Sequence, residues 1–485
     1  MGSIVAQDSS SSRDLAAVKR VFRKLEKPED LLAQREEALS AIKNLDSGEA
    51  VEVLVEAYVN LEQESAPIVA KRHRILLSDS GERLQALRED FRPQHRLQEG
   101  ILDHLTRLKS EDALSAFQRM LAQKRLPLRL RIVGARAAAT LMDAAKTKPR
   151  ATRRLPDLLL VLEAARSMER AGQSFAPLAI AALERPEALA RERAIQTLAA
   201  TCAPESIQPL IDFLDSQAEH RLKAEAARAL CVLTEQNLGT SSMSWRAWLT
   251  KEGQGYLDGS KRLGNGKPDV TSKSDTGYYF GIPLDRSSIV FVHDNSLSMN
   301  QKLGERTRLQ RSVEELEKAL DALAPTQRFN IVLLANRVWS FESGQVAATP
   351  KNVARAKDWL RYQPVELGTA IYNALEAAFL LAGRGVQDRY YEAEVDTIFL
   401  LSDGAPTPFI TQRRGAAPRS TETTDEILRA VDRWNTFDRV QIHTVLLGAA
   451  PRGNARANGP RGNNAAKFMQ DLAKQNNGRF ENVAR

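Results

Sequence analysis

The run "SSIVFVHDNSLSM", Ser287 to Met299, decides the fold of half the chain. Ser288 to His293 is a short apolar stretch of β-branched and aromatic residues, of the length and composition of a buried strand. It runs straight into Asp294, Ser296 and Ser298, a carboxylate and two hydroxyls at alternate positions of a polar loop. Around it, from about residue 278 to the end, short β-rich runs alternate with amphipathic helices. The expected strands are Ser288 to His293, Arg328 to Ala335, Val338 to Phe341, Val395 to Ser402, Val440 to Gly448 and Arg479 to Val483. Helices are expected over Arg308 to Leu323, Asn352 to Arg361, Ala370 to Leu381, Thr424 to Trp434 and Ala465 to Gln475. Such alternation predicts a doubly wound α/β sheet, mainly parallel, with helices on both faces. Val338 to Phe341 follows its predecessor too closely for a crossover and reads as an antiparallel edge strand.

In an open parallel sheet the ligand site lies beyond the carboxyl ends of the strands. Three loops leave that edge with oxygen-rich chemistry: the one carrying Asp294, Ser296 and Ser298; Glu366-Leu-Gly-Thr369, which opens the helix at Ala370; and Leu400-Leu-Ser-Asp403-Gly-Ala-Pro-Thr. With these residues, the segment 278–485 resembles the von Willebrand factor A (VWA) domain, a Rossmann-like fold. The resemblance implies a metal-ion-dependent adhesion site (MIDAS), whose Asp-x-Ser-x-Ser loop, distant Thr and later Asp correspond here to Asp294, Ser296, Ser298, Thr369 and Asp403. Two residues depart from the family's pattern: Leu297 and Leu367 stand where Gly is common. The chemistry is coherent by itself. A hard cation such as Mg2+, or Mn2+ or Ca2+ in its place, takes about six oxygen ligands. Three hydroxyls and two carboxylates would leave a position for the Asp or Glu carboxylate of a protein partner. His293, which alternates to the face opposite Asp294, is expected to be a satisfied core imidazole rather than a ligand.

The first 250 residues are rich in Ala, Leu, Glu and Arg at helical spacing and read as all α-helical. They also repeat. Ala38, Ile42, Leu45, Glu49, Ala50, Val51 and Leu54 align with Ile101, Leu105, Leu108, Asp112, Ala113, Leu114 and Phe117, and again with Ala194, Leu198, Thr201, Glu205, Ser206, Ile207 and Leu210. Each copy carries an acid just after a short turn, where it suits a helix N-terminus. The pattern resembles HEAT repeats over roughly residues 15–250, which implies a solenoid of stacked helix pairs; an irregular helical bundle is the alternative. Trp245 and Trp248 would share a helix face and cap the end of the array. Residues 251–277, rich in Gly, Ser, Lys and Asp without period, read as a flexible linker. Gly264-Asn-Gly-Lys267 within it is not a phosphate-binding loop, since Pro268 follows the lysine.

Cys202 and Cys231, the two cysteines, fall in apolar helical patterns and read as buried thiols. Of the net charge of +8, the segment Lys124 to Arg154 holds ten basic residues against one acid. Basic loops after Asp403 (Arg413, Arg414, Arg419) and after Gly448 (Arg452, Arg456, Arg461) are expected to rim the cation site. No run is long and apolar enough for a membrane span. The start lacks a complete leader, so the compartment stays open: cytoplasmic by default, secreted or periplasmic if a leader has been removed. Neither His-Glu-x-x-His nor Gly-x-Ser-x-Gly occurs, and the expectation is a non-enzymatic interaction protein or scaffold. The alternative is RNA binding through the basic helical surface, because helical repeats joined to a VWA domain also resemble the Ro ribonucleoprotein architecture. That basic stretch lacks the interleaved aromatic residues that stack unpaired bases.

Overall fold

In the computed structural model the chain divides into two compact units: Met1–Lys71 with Leu87–Ser272, and Arg72–Ala86 with Lys273–Arg485. The described residues are 2–23, 28–76, 81–123, 125–144, 161–162, 172–186, 188–218, 220–264, 277–382, 395–404, 406, 423–435, 439–448 and 460–483.

The N-terminal half is helical, as expected. Its described helices are α1 (Gly2–Phe22), α2 (Pro28–Ala41), α3 (Gly48–Ile75), α4 (Gly81–Arg107), α5 (Glu111–Leu121), α6 (Leu128–Ala144), α7 (Gly172–Ala182), α8 (Ala188–Thr201), α9 (Ile207–Asp215), α10 (His220–Thr234), α11 (Ser242–Trp248) and α12 (Gln254–Leu257). Helix α5 illustrates the local logic. Ser110 caps its first turn by accepting from the Ala113 amide, and Ala113, Ala116, Phe117, Met120 and Leu121 form one buried stripe. Packing follows chain order, α5 on α6, α7 on α8 and α9 on α10, and α10 also touches α8, as in a solenoid-like stack. Two acids at the turns, Asp46 and the aligned Asp112, bind across the stack. Asp46 accepts from the amides of Lys109 and Ser110 at 2.9–3.0 Å, and Asp112 accepts from the Gly48 amide at 2.6 Å.

Two features differ from the sequence expectation. Helices α3 and α4 run to 28 and 27 residues, well beyond the length of a repeat helix, and the segment Arg72–Ala86 at their junction clusters with the second unit. Residues 251–264 also fold instead of trailing away: the Tyr256 hydroxyl donates to Thr234 O at 2.9 Å and the Gly264 amide to Leu233 O at 3.1 Å. Trp245 is fully buried, donates its indole N–H to Gly239 O, and meets Trp248 edge-on at 5.7 Å. Tyr256 in turn packs on Trp248. The polar composition of this segment hid its few aromatic anchors. Residues 265–276, the rest of the expected linker, lie outside the described residues.

The second unit is the doubly wound α/β sheet expected. Short hairpins β1 (Tyr278–Tyr279) with β2 (Ile282–Pro283), and β4 (Lys302–Leu303) with β5 (Arg306–Thr307), flank β3 (Ser288–Asp294). The main sheet adds β6 (Arg328–Leu334), β7 (Val338–Ser340), β8 (Val346–Ala347), β9 (Thr397–Ser402), β10 (Gln441–Leu447) and β11 (Phe480–Val483), in the order β11-β10-β9-β3-β6-β7. Strands β3, β6, β9, β10 and β11 are parallel, while β7 and β8 pair antiparallel with β6. Alternate strand residues feed two cores. Val290, Val292, Ile398 and Leu400 face α15 (Ile371–Leu381), α16 (Thr424–Trp434) and α17 (Pro460–Gln475). Ile289, Phe291, Phe399 and Leu401 face α13 (Arg308–Asp321) and α14 (Pro350–Arg361). Every residue of β3 is buried, which is why its sequence reads as an unbroken apolar run.

Within this unit Arg72 is fully buried against α15. It pairs with Glu376 at 2.7 Å, donates to Asn373 Oδ1 at 2.6 Å and to Leu84 O, and stacks over the Tyr372 ring. Removing one partner of such a pair strands a charge in the core. Glu376→Ala is therefore expected to cost about 3–5 kcal/mol in the second unit, read as a lower melting temperature. An Arg72→Leu/Glu376→Leu double variant is expected to recover most of the loss; equal melting of wild type and Glu376→Ala would refute this role for the pair.

Candidate functional site: a carboxylate and hydroxyl cluster at the sheet edge

From β3 the chain crosses to β6 on one side and then returns to β9 on the other, so the switch point of the sheet lies between the carboxyl ends of β3 and β9. Asp294 ends β3 and Asp403 follows β9 directly. Asp294 is fully buried. Its Oδ1 accepts from the Ser296 amide at 2.8 Å and its Oδ2 from the Ser402 hydroxyl at 2.5 Å. The Ser296 and Ser298 hydroxyls lie 3.0 Å apart, and Ser298 Oγ donates to Asp403 Oδ1 at 2.9 Å. Four of the five sequence-predicted residues thus form one hydrogen-bonded cluster.

Thr369 is positioned by backbone. The Leu297 amide donates to Glu366 O at 2.8 Å, the Glu366 amide to Asn295 O at 3.2 Å and the Ala370 amide to Ala335 O at 2.8 Å. These bonds lace the Thr369 loop between the Asp294 loop and the end of β6. Gly368 adopts φ +87°, and a Cβ there would sit 3.1 Å from Asn336 Cα, so this position requires glycine. Thr369 is buried, and its hydroxyl makes no hydrogen bond to the other four among the described residues.

Two participants were not read from the sequence. Ser402 looked like the last residue of a strand, although a hydroxyl beside Asp403 at a strand end was its signal. Arg308, the first residue of α13, pairs with Asp403 Oδ2 through Nη1 at 2.7 Å. His293 is a core imidazole as expected but only partly satisfied: its Nε2 lies 2.9 Å from Ser312 Oγ on α13, its buried Nδ1 has no hydrogen-bond partner among the described residues, and burial pushes its pKa down to about 4, so it is neutral. Leu297 and Leu367 are about half exposed on the two loops.

The other sequence expectations place less chemistry here. Residues 407–422 and 449–459, which carry Arg413, Arg414, Arg419, Arg452 and Arg456, lie outside the described residues. So do Arg153 and Arg154 of the basic stretch. Arg131 is buried, and the mostly buried Arg129 side chain lies 4.0 Å from Glu99, so neither is an open phosphate contact. Cys231 is a buried thiol and Cys202 a partly buried one, and the two form no disulfide.

No protein-family model matches the chain. Among curated proteins it is 33% identical over 134 residues to inter-alpha-trypsin inhibitor heavy chain H4 of Homo sapiens, covering 27% of this chain and 14% of that one. The corresponding figures for the heavy chain 4 of Mus musculus are 32% over 127 residues, 26% and 13%. The chain thus spans only a small part of the length of these relatives. Among solved structures, a von Willebrand factor type A protein from Catenulispora acidiphila aligns at 17% identity with a TM-score of 0.31, over 41% of this chain and 38% of that one. The PilB minor pilin from Streptococcus sanguinis aligns at 13% identity and a TM-score of 0.31, over 42% and 59%.

Burial, and then the nearby Asp403 charge, push the Asp294 pKa up to about 6 from 3.8, although hydrogen bonds from Ser296 and Ser402 oppose the rise. The folded state therefore holds this proton more tightly than the unfolded chain. Its contribution to stability is full below about pH 4 and is lost as the pH rises through about 6, at about 1.4 kcal/mol for each pH unit of that window. Asp294→Asn is expected to flatten this part of the stability–pH curve without added metal; an unchanged curve in denaturant titrations between pH 4 and 7 would refute the assignment.

Proposed function

We propose that the second unit seats a divalent cation on Asp294, Ser296, Ser298, Thr369 and Asp403, and through it captures the Asp or Glu side chain of a protein partner. The observation that carries this reading is the convergence of two buried carboxylates and two seryl hydroxyls at the switch point of the sheet. All the donors are hard oxygens, which suits Mg2+ or Mn2+, and Ca2+ less tightly defined, rather than a thiophilic ion. Two carboxylates crowded so closely that one raises the pKa of the other are also a place where a cation relieves repulsion. The neutral hydroxyls leave the ion electrophilic toward one further carboxylate. The half-exposed Leu297 and Leu367 beside the site supply apolar contact for the residues flanking the partner's acid. Resemblance to the VWA domain and the matched stretch of the inter-alpha-trypsin inhibitor heavy chains support the same reading. It is a non-enzymatic one, and the Nε2 of the neighbouring His293 is engaged by Ser312.

Calorimetric titration with Mn2+ tests the site. Wild type is expected to bind one equivalent, Asp294→Ala to lose binding, and Thr369→Ala to lose at least about tenfold in affinity, which corresponds to one 1.4 kcal/mol ligand bond. Circular dichroism should show all three folded. Partner capture should vanish in chelator and resist ribonuclease. Capture that persists in chelator would refute the cation-mediated reading, and capture abolished by ribonuclease would favour the RNA-binding alternative.

A further inference from the structure

Resting on that cation reading, we infer that Arg308 is the internal counter-ion of the site: it occupies Asp403 when no divalent ion is bound and opposes the ion that replaces it, so it sets the affinity of the site. The guanidinium is in a built position. Arg308 is the first residue of α13, directly after Thr307, whose hydroxyl accepts from the Gln310 amide while the Gln310 side chain accepts from the Thr307 amide. A cation at a helix N-terminus faces the positive end of the helix dipole and is disfavoured there by itself. Asp403 compensates it, with Nη1 2.7 Å from Oδ2, the carboxylate almost wholly buried and the arginine side chain mostly so. Gly448 makes room: at φ +76°, a Cβ on it would lie 2.4 Å from Arg308 Nε.

Both oxygens of Asp403 are engaged, Oδ1 accepting from Ser298 and Oδ2 from Arg308. A divalent ion that uses Asp403 must displace one of these donors or share the carboxylate with a positive charge at close range. Both routes weaken binding. The guanidinium is the donor able to leave, because its side chain keeps 15% exposure to solvent and its Nε has no hydrogen-bond partner among the described residues. When the ion replaces the guanidinium, Asp403 remains paired in both states and the site exchanges one cation for another.

Full-length wild type, Arg308→Gln and Arg308→Lys would be titrated with Mn2+ by calorimetry and by electron paramagnetic resonance of the free ion. Removing a unit charge a few ångströms from the ion is expected to tighten Mn2+ binding by about tenfold or more in Arg308→Gln. Arg308→Lys, which keeps the charge, is expected to stay within about threefold of wild type. Without metal, Arg308→Gln should melt below wild type, and Mn2+ should raise its melting temperature by more than it raises that of wild type. Arg308→Leu, which keeps an apolar stem against Gly448, repeats the test if the glutamine variant fails to fold. Wild-type binding with equal or weaker binding by the charge-removing variant overturns the counter-ion role alone. No binding by either protein overturns both this role and the cation reading, and binding by the variant alone supports both.

Discussion

Two carboxylates buried side by side at the turning point of a parallel sheet are the constraint around which the second unit is built. Asp294 is wholly inaccessible and Asp403 nearly so. A carboxylate taken from water into such a place is tolerated only when hydrogen bonds or an opposite charge compensate it. The structure supplies both, unevenly. Asp294 receives the Ser296 amide and the Ser402 hydroxyl, yet its proton is held more tightly than in water. Asp403 receives a hydroxyl and a guanidinium. The neighbouring architecture follows from these needs: a glycine at 448 that admits the arginine, and a Thr307 cap that fixes the helix end from which the arginine reaches.

Much of this was legible in sequence because the responsible forces are local or periodic. β3 is buried on both faces, so its residues are apolar without alternation, and the run from Ser288 to His293 reads as a buried strand. Thr424 to Trp434 matches the observed helix end to end, since Thr423 and Glu426 write its capping box at the required spacing. Among the aligned acids Asp112 has a physical reason as well: it reaches the Gly48 amide across the stack.

What sequence concealed was long-range compensation of charge. Arg72 and Glu376 are 304 residues apart and each lies on an ordinary-looking helix, so neither periodicity nor composition links them. Arg308 likewise reads as a surface charge at the start of an amphipathic helix, and only the fold brings Asp403 to it. Ser402 was masked by its strand, whose final residue turns a hydroxyl instead of an apolar group toward the switch point. The segment from Lys251 to Gly264 misleads for the opposite reason, because Trp248 and Tyr256 secure it while the residues between them have the composition of a tether.

Charge balance ties the site's parts to its proposed partner. With both aspartates ionised, a divalent ion brings the pair to neutrality, and the carboxylate of a partner then adds one negative charge in a poorly solvated place. That charge needs compensation. Arg308 is the one guanidinium among the described residues paired with the site's carboxylates. In the proposed cation-bound state, the same positive charge would favour the arriving acid. On the proposed reading a single arginine would weaken the empty site's hold on the ion and strengthen the loaded site's hold on the acid, so that the two binding events would be coupled and an acidic partner would complete a site that the ion alone would fill reluctantly.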